Sequence, residues 1–264
     1  MIGKKLKKLS KLARYKILEQ VHLKKAGHLG GCLSCVDLII NVFKNYILKN
    51  QNDKFVLSKG HCALTLYTTL NIFNKITDTA LKKFALEGSY FGEHPSPKIK
   101  NKYITFSTGS LGHGLGFGSG LAFSNKLKKN KDRIFVLMSD GELNCGTVWE
   151  AALLSSKLKL DNLIAIINYN KFQATGRSNE ILNLKPLIDK WKSFGWDTLE
   201  CDGNDHKQIN ASLKRLIKKK NKPKVLIANT IKGKGISFME DDNNWHYRSP
   251  TRDELLASKK ELEI

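Results

Sequence analysis

Residues 134–176 read IFVLMSDGELNCGTVWEAALLSSKLKLDNLIAIINYNKFQATG, and this stretch decides the fold. Ile134 to Met138 and Leu163 to Ile167 are short apolar runs of the kind found in strands covered on both faces. Between them lies a helix-type run, Ala151 to Leu160, preceded by Thr147-Val148-Trp149-Glu150 at capping-box spacing. Strand, helix, strand in this order predicts a parallel pair. Asp140 and Asn170 each follow one of the two apolar runs. Two oxygen-bearing side chains at neighbouring strand ends suit a hard cation held together with a diphosphate. Asp-Gly and Asn are also ordinary turn formers, so it is the pair in its strand context that points to a site.

The same alternation extends outward. Lys54 to Leu57 is a short strand before the turn Ser58-Lys59-Gly60-His61, and a helix runs from Ala63 to Ile72. Later come a strand from Trp196 to Leu199, a helix opening near Asp205 and a strand from Val225 to Asn229. Leu6, Leu9, Leu12, Ala13, Ile17, Leu18 and Val21 recur at helical spacing, which makes the basic N-terminus an amphipathic helix, and Val36 to Phe43 forms another. The pattern predicts one α/β domain over residues 1–264, with a doubly wound, mainly parallel sheet flanked by helices. Ligands in such folds bind beyond the carboxyl ends of the strands. Asp140, Asn170, the Gly-rich segment 106–120 and Ile231-Lys232-Gly233-Lys234-Gly235 all fall there.

Composition narrows the setting. The 264 residues are 41% hydrophobic, and no apolar run approaches the roughly 20 residues of a membrane span. Lys4-Lys5-Leu6-Lys7-Lys8 follows the first residues with no apolar segment behind it, unlike a secretory leader. Five cysteines, an odd number, fit reduced thiols and a cytoplasmic location. Cys32 and Cys35 have ligand-like spacing but no second pair, so they read as buried helix cysteines rather than zinc ligands. The net charge of +21 gathers in 4–25, 126–133 and 213–224 without interleaved aromatics. That favours solvated helix faces over a nucleic-acid surface, while the field attracts phosphorylated metabolites or an acidic partner.

Gly109-Ser110-Leu111-Gly112-His113-Gly114 opens a helix, a placement suited to an anion or a flat ring. Its glycines are out of register for a dinucleotide or Walker loop. His28, His61, His94 and His246 sit beside Gly, Pro or Trp at loop or helix starts, a setting for a polar pocket that binds hydroxyls and moves protons. His22 and His206 read as surface helix residues, and Glu150 reads equally as the cap of its helix.

The assembled motifs resemble a family. Ala26-Gly27-His28, Phe55-Val56-Leu57-Ser58-Lys59-Gly60-His61, the Gly109–Gly114 loop, Ser139-Asp140-Gly141-Glu142, Asn168-Tyr169-Asn170 and Ile231–Gly235 through Trp245-His246 follow the order of the N-terminal, diphosphate-binding half of transketolase, as found in split, two-subunit enzymes. The resemblance implies the thiamine diphosphate-binding fold, with thiamine diphosphate and Mg²⁺ (or Ca²⁺) as cofactors. Asp140, Asn170 and the backbone carbonyl of Phe172 would ligate the metal. Gly141, His61, Lys232 and His246 would contact the diphosphate, and Gly109, Ser110 and Leu111 the aminopyrimidine. His28, His94 and His246 would face the sugar as catalytic residues, and Glu150 would join an acidic network across a dimer interface. Ser139 stands where the family has Gly, Tyr169 where it has Asn, Gly31 where human-type enzymes have Ser, and Cys145 where a second interface Glu is usual.

The implied reaction moves a two-carbon ketol unit from a ketose phosphate to an aldose phosphate, as in the pentose phosphate pathway. No pyrimidine-binding domain follows within the chain, so the expected partner is a pyrimidine-domain subunit in an α₂β₂ assembly, which also supplies the Glu that activates the cofactor. Two related readings are a deoxyxylulose-phosphate synthase-like enzyme and the alpha subunit of a 2-oxo acid dehydrogenase. Lys232-Gly233-Lys234-Gly235 with Trp245-His246 favours transketolase over both. The intact Asp140/Asn170 pair disfavours a non-catalytic basic protein.

Overall fold

A computed structural model describes residues 2–264. Helices α1 (Ile2–Lys24), α2 (Leu29–Ser34) and α3 (Val36–Val42) lead to β1 (Lys54–Leu57), which is followed by α4 (Ala63–Ile72) and α5 (Asp78–Leu81). Next come α6 (His113–Leu127), β2 (Ile134–Ser139), α7 (Gly146–Lys157) and β3 (Leu163–Tyr169). Then α8 (Ser178–Ile181) and α9 (Leu187–Ser193) precede β4 (Asp197–Asp202), α10 (His206–Ile217) precedes β5 (Lys224–Asn229), and α11 (Arg252–Glu261) follows.

The strands form one sheet in the order β1-β2-β3-β5-β4, every neighbouring pair parallel. Their side chains alternate between two cores, as the pleat requires. Phe55, Leu57, Phe135, Leu137, Ile164, Ile166 and Leu226 pack beneath α1, α3, α4 and α10. Val56, Ile134, Val136, Met138, Ala165, Ile167, Val225 and Ile227 face α6, α7 and α9. Burial on both faces explains why these strands are continuous apolar runs. The doubly wound parallel sheet is therefore as expected.

The starts and ends of elements depart from the sequence reading where polar residues take over. β2 and β3 run on to Ser139 and Tyr169, because Ser139 pairs with Asn168 across the ladder. The capping box is not formed. Helix α7 begins at Gly146 with Cys145 as a cap that makes no side-chain bond, and the Thr147 hydroxyl instead donates to the Gly112 carbonyl. Glu150 thus lies inside the first turns, on an exposed face, and caps nothing. Among the described residues no helix is long and apolar enough to cross a membrane.

Candidate functional site

The carboxyl ends of β1, β2, β3 and β5 stand side by side, and each hands the chain to a segment lining one cavity of about 300 Å³. β1 delivers Lys59 and His61, β2 delivers Ser139 and Gly141, β3 delivers Asn170 and Phe172, and the segment after β5 delivers Lys232. His28 from the start of α2, His94, Gly109, Leu111, His246 and Tyr247 complete the wall.

Asp140 lies fully buried immediately behind this wall. Its Oδ2 accepts a hydrogen bond from the Ser178 hydroxyl at 2.9 Å, and its Oδ1 has no partner. Burial pushes its carboxyl up to about 6, against the pull of Ser178 and Lys59. A buried carboxylate oxygen left without a donor is expensive unless something cationic occupies the space before it. Asn170 is held by two bonds: its Nδ2 donates to Ser34 Oγ at 3.3 Å, and its Oδ1 accepts from the Phe172 N–H at 3.0 Å. The buried Lys59 ammonium donates to Asn168 Oδ1, which also accepts from Ser34, while Asn168 Nδ2 donates to Thr230 at 2.6 Å. Lys232 sits within 3.0 Å of His246 Nδ1, and burial lowers it to about 8.

The four histidines singled out by their neighbours converge. Ring centroids of His28 lie 5.3 Å from His61, 6.2 Å from His94 and 5.4 Å from His246. Tyr247 closes the group 4.4 Å from His246. Burial, reinforced by Lys59 and the neighbouring rings, holds His61 well below its ordinary range. Burial, with Lys232 beside it, takes His246 down to about 3. His28 is lowered by burial despite Glu93 at 3.6 Å. Neutral imidazoles in the fold and ionisable ones in the unfolded chain set a sign. The unfolded chain takes up protons first as pH drops below about 6.5, so stability present above that pH is lost below it. Asp140 and Glu142, both raised by burial, take up protons in the fold and offset part of this. Three histidines outweigh two carboxyls above pH 6. The cofactor-free protein is expected to lose about 1–2 kcal/mol between pH 7 and 6 in urea titrations, and a flat profile would show these rings to be charged.

Several residues fall elsewhere. Ser110 is exposed and lies outside the cavity wall, as does Glu150 on α7. His206 is not a surface residue: it is buried against Ser10, Asn41 and Asp37, because α10 docks its first turn on α1 and α3. His22 is partly buried, its Nδ1 2.8 Å from the Pro250 carbonyl. Cys32 and Cys35 are buried free thiols, and no group of three His, Cys, Asp or Glu side chains among the described residues converges to hold a metal. A larger cavity of about 400 Å³ lies at the amino ends of β2 and β3, lined by Lys126, Lys129, Arg133 and Lys220, and contains none of the predicted site residues.

Two structural residues of the site carry little mark in the sequence. Lys59 and Glu142 each sit one residue from a motif residue and read as turn polarity. Glu142 is buried: its carboxylate accepts from the Ser58 hydroxyl, the Gly112 N–H at 2.9 Å and the Ser139 N–H at 3.2 Å. It ties the ends of β1 and β2 to the Gly-rich loop. The one local signal is a charged residue tucked between apolar strand ends.

Residues 6–264 match the family model described as transketolase, thiamine diphosphate binding domain. The chain is 38% identical over 260 residues to one of the two chains of the apulose-4-phosphate transketolase of Phocaeicola vulgatus, covering 94% of this chain and 90% of that protein. It is 32% identical over 253 residues to the 6-deoxy-6-sulfo-D-fructose transketolase subunit SqwG of a Clostridium species, covering 93% and 92%. The crystal structure of transketolase from Campylobacter jejuni superposes with a TM-score of 0.87 at 26% identity, covering 98% of this chain and 43% of that one.

Proposed function

The chain belongs to the transketolase family, whose domain here binds thiamine diphosphate, and from that premise we propose that it is the diphosphate-side subunit of a two-subunit transketolase using Mg²⁺. The observation that carries the proposal is the buried Asp140 Oδ1 without a partner, set behind a cavity whose opposite groups are Lys59, Lys232 and four imidazoles. The donor set fits. One carboxylate, the Asn170 amide and the Phe172 carbonyl are hard oxygen ligands and too few to fill an octahedral site, so the cation is retained only with the anion that completes it. Lys232 and His61 take the diphosphate oxygens, Gly141 admits them to the backbone, and Gly109 and Leu111 face the ring.

When bound, thiamine diphosphate supplies the carbon nucleophile that a two-carbon ketol transfer requires. The chain's own part is positioning and proton control. His28, His94 and His246 present uncharged or weakly basic nitrogens to sugar hydroxyls and stabilise oxygen charge as it develops. Glu93 beside His28 Nδ1 fixes that ring's tautomer. Glu150 and Ser110, outside the cavity wall, are assigned to contacts with a second chain.

The partner is a pyrimidine-domain subunit. The relatives' names support this, since each designates one subunit of its transketolase. The assembly is proposed as α₂β₂ in the cytoplasm. Sugar phosphates are the substrate class. The same names place apulose 4-phosphate and 6-deoxy-6-sulfo-D-fructose beside pentose phosphates among the donors to test. Calorimetry of the co-expressed chains should show thiamine diphosphate binding that EDTA abolishes, and turnover assays should show ketol transfer from at least one of these donors. No cofactor binding in the complex would sink the proposal.

A further inference from the structure

We infer that Arg14, Asp37 and Asn204, none of which lines the cavity, form a clamp that positions Lys232 inside it. The inference deepens the cofactor-site reading and rests on it.

The segment Ile231–Gly235 carries Lys232 across the end of the sheet, and its polar backbone atoms are fastened from outside the cavity. The Ile231 N–H donates to Asn204 Oδ1 at 3.2 Å. The Lys234 carbonyl accepts from Arg14 Nε at 2.6 Å. These two holding groups meet on one carboxylate. Arg14 bonds Asp37 through both guanidinium arms, at 2.6 and 3.3 Å, and Asn204 Nδ2 donates to Asp37 Oδ2 at 3.1 Å. His206 Nε2, 3.3 Å from Asp37 Oδ1, seals the remaining side. Arg14 and Asp37 are 5% and 4% exposed, so the pair is held in place by its surroundings rather than by solvent.

A buried ion pair is weak evidence for stability, since a well-packed apolar pair usually serves as well. This one has a further use, because Arg14's third N–H reaches a backbone carbonyl two residues from Lys232. The sequence accommodates the approach. Gly235 has φ +98°, and a Cβ there would lie 2.6 Å from Arg14 Cδ. The second glycine of Lys-Gly-Lys-Gly is therefore the space Arg14 occupies. Lys232 reaches the cavity on a long side chain, so a small shift of its backbone moves the ammonium off a diphosphate oxygen. Arg14, Asp37 and Asn204 are positioning residues, acting through Lys232.

The test pairs two readouts. In the co-expressed complex, the apolar double variant Arg14→Met/Asp37→Leu should keep its urea midpoint while thiamine diphosphate affinity, titrated with Mg²⁺, falls at least tenfold. In the cofactor-free protein, amide exchange across residues 230–236 should speed up at least tenfold with the sheet unaffected. Asn204→Ala and Arg14→Lys, the second keeping the charge but not the fork, should shift both readouts the same way by smaller factors; these single variants decide the matter if the double variant does not fold. Unchanged exchange and unchanged affinity would overturn the clamp. Exchange is read without cofactor, so a wild-type complex that fails to bind thiamine diphosphate refutes the site reading while the clamp is still tested.

Discussion

Asp140→Asn should make the cofactor-free protein more stable by about 1–3 kcal/mol at pH 7 and reduce Mg²⁺-dependent thiamine diphosphate affinity by a factor of about 1,000 or more. The two effects have opposite signs for one reason. The carboxyl is fully buried, its Oδ1 has no partner, and burial holds it at about 6 instead of 3.8. At neutral pH the fold therefore keeps an ionised group where ionisation is disfavoured, each tenfold rise in proton affinity being worth about 1.4 kcal/mol. Asparagine removes that penalty and still accepts from the Ser178 hydroxyl. The loss of the favourable field at Lys59 works the other way and sets the lower end of the range. What disappears is the anionic oxygen that a divalent cation needs, and neutral amides are poor replacements. Urea unfolding and calorimetry on the same preparation check both halves. A variant less stable than wild type would mean that the buried carboxylate is not strained.

The elements most legible in the sequence are those whose environment is uniform. β1, β2, β3 and β5 lie between two apolar cores, so their runs of Val, Ile, Leu and Phe mark them with little ambiguity. The metal-side residues are legible for a related reason: Asp140 and Asn170 interrupt such runs at neighbouring ends. The four histidines are visible as a set but not as a cluster, because their convergence depends on strand order, which periodicity does not encode. Polar residues with distant partners are the least legible. His206 carries no local mark of the buried Asp37 it meets, 169 positions earlier. Asn168 looks like a strand end, yet it joins Lys59, Ser34 and Thr230 from three separate segments. Thr147 has the spacing of a cap and is not one, because its true partner, the Gly112 carbonyl, lies in another loop.

Glu142→Ala should destabilise the protein by about 3–5 kcal/mol, although Glu142 lies outside the cavity wall. Truncation strands three buried donors, the Ser58 hydroxyl and the N–H groups of Gly112 and Ser139. Each unsatisfied donor costs about 1–3 kcal/mol, partly relieved if water enters the space. The total is comparable with the whole stability of many domains. Burial opposes ionisation of this carboxyl, yet the three donors keep it an acceptor, so Glu142→Gln should fall between wild type and alanine: its oxygen serves Ser58 and Gly112, but its NH₂ confronts the Ser139 N–H. Gly114→Ala attacks the same knot from the other side. Its Cβ would lie 2.2 Å from Ser58 Oγ and 2.8 Å from Ser58 Cα, and the second contact is backbone that cannot swing away. Its N–H also donates to Ser58 Oγ at 3.1 Å. Because both substitutions displace Ser58, their effects cannot add. The double variant should be at least about 1 kcal/mol less destabilised than the sum of the singles, the coupling expected of residues in one hydrogen-bond network. Additive losses in urea midpoints would mean that Ser58 does not join the Gly-rich loop to Glu142, and that the loop is placed by helix packing alone.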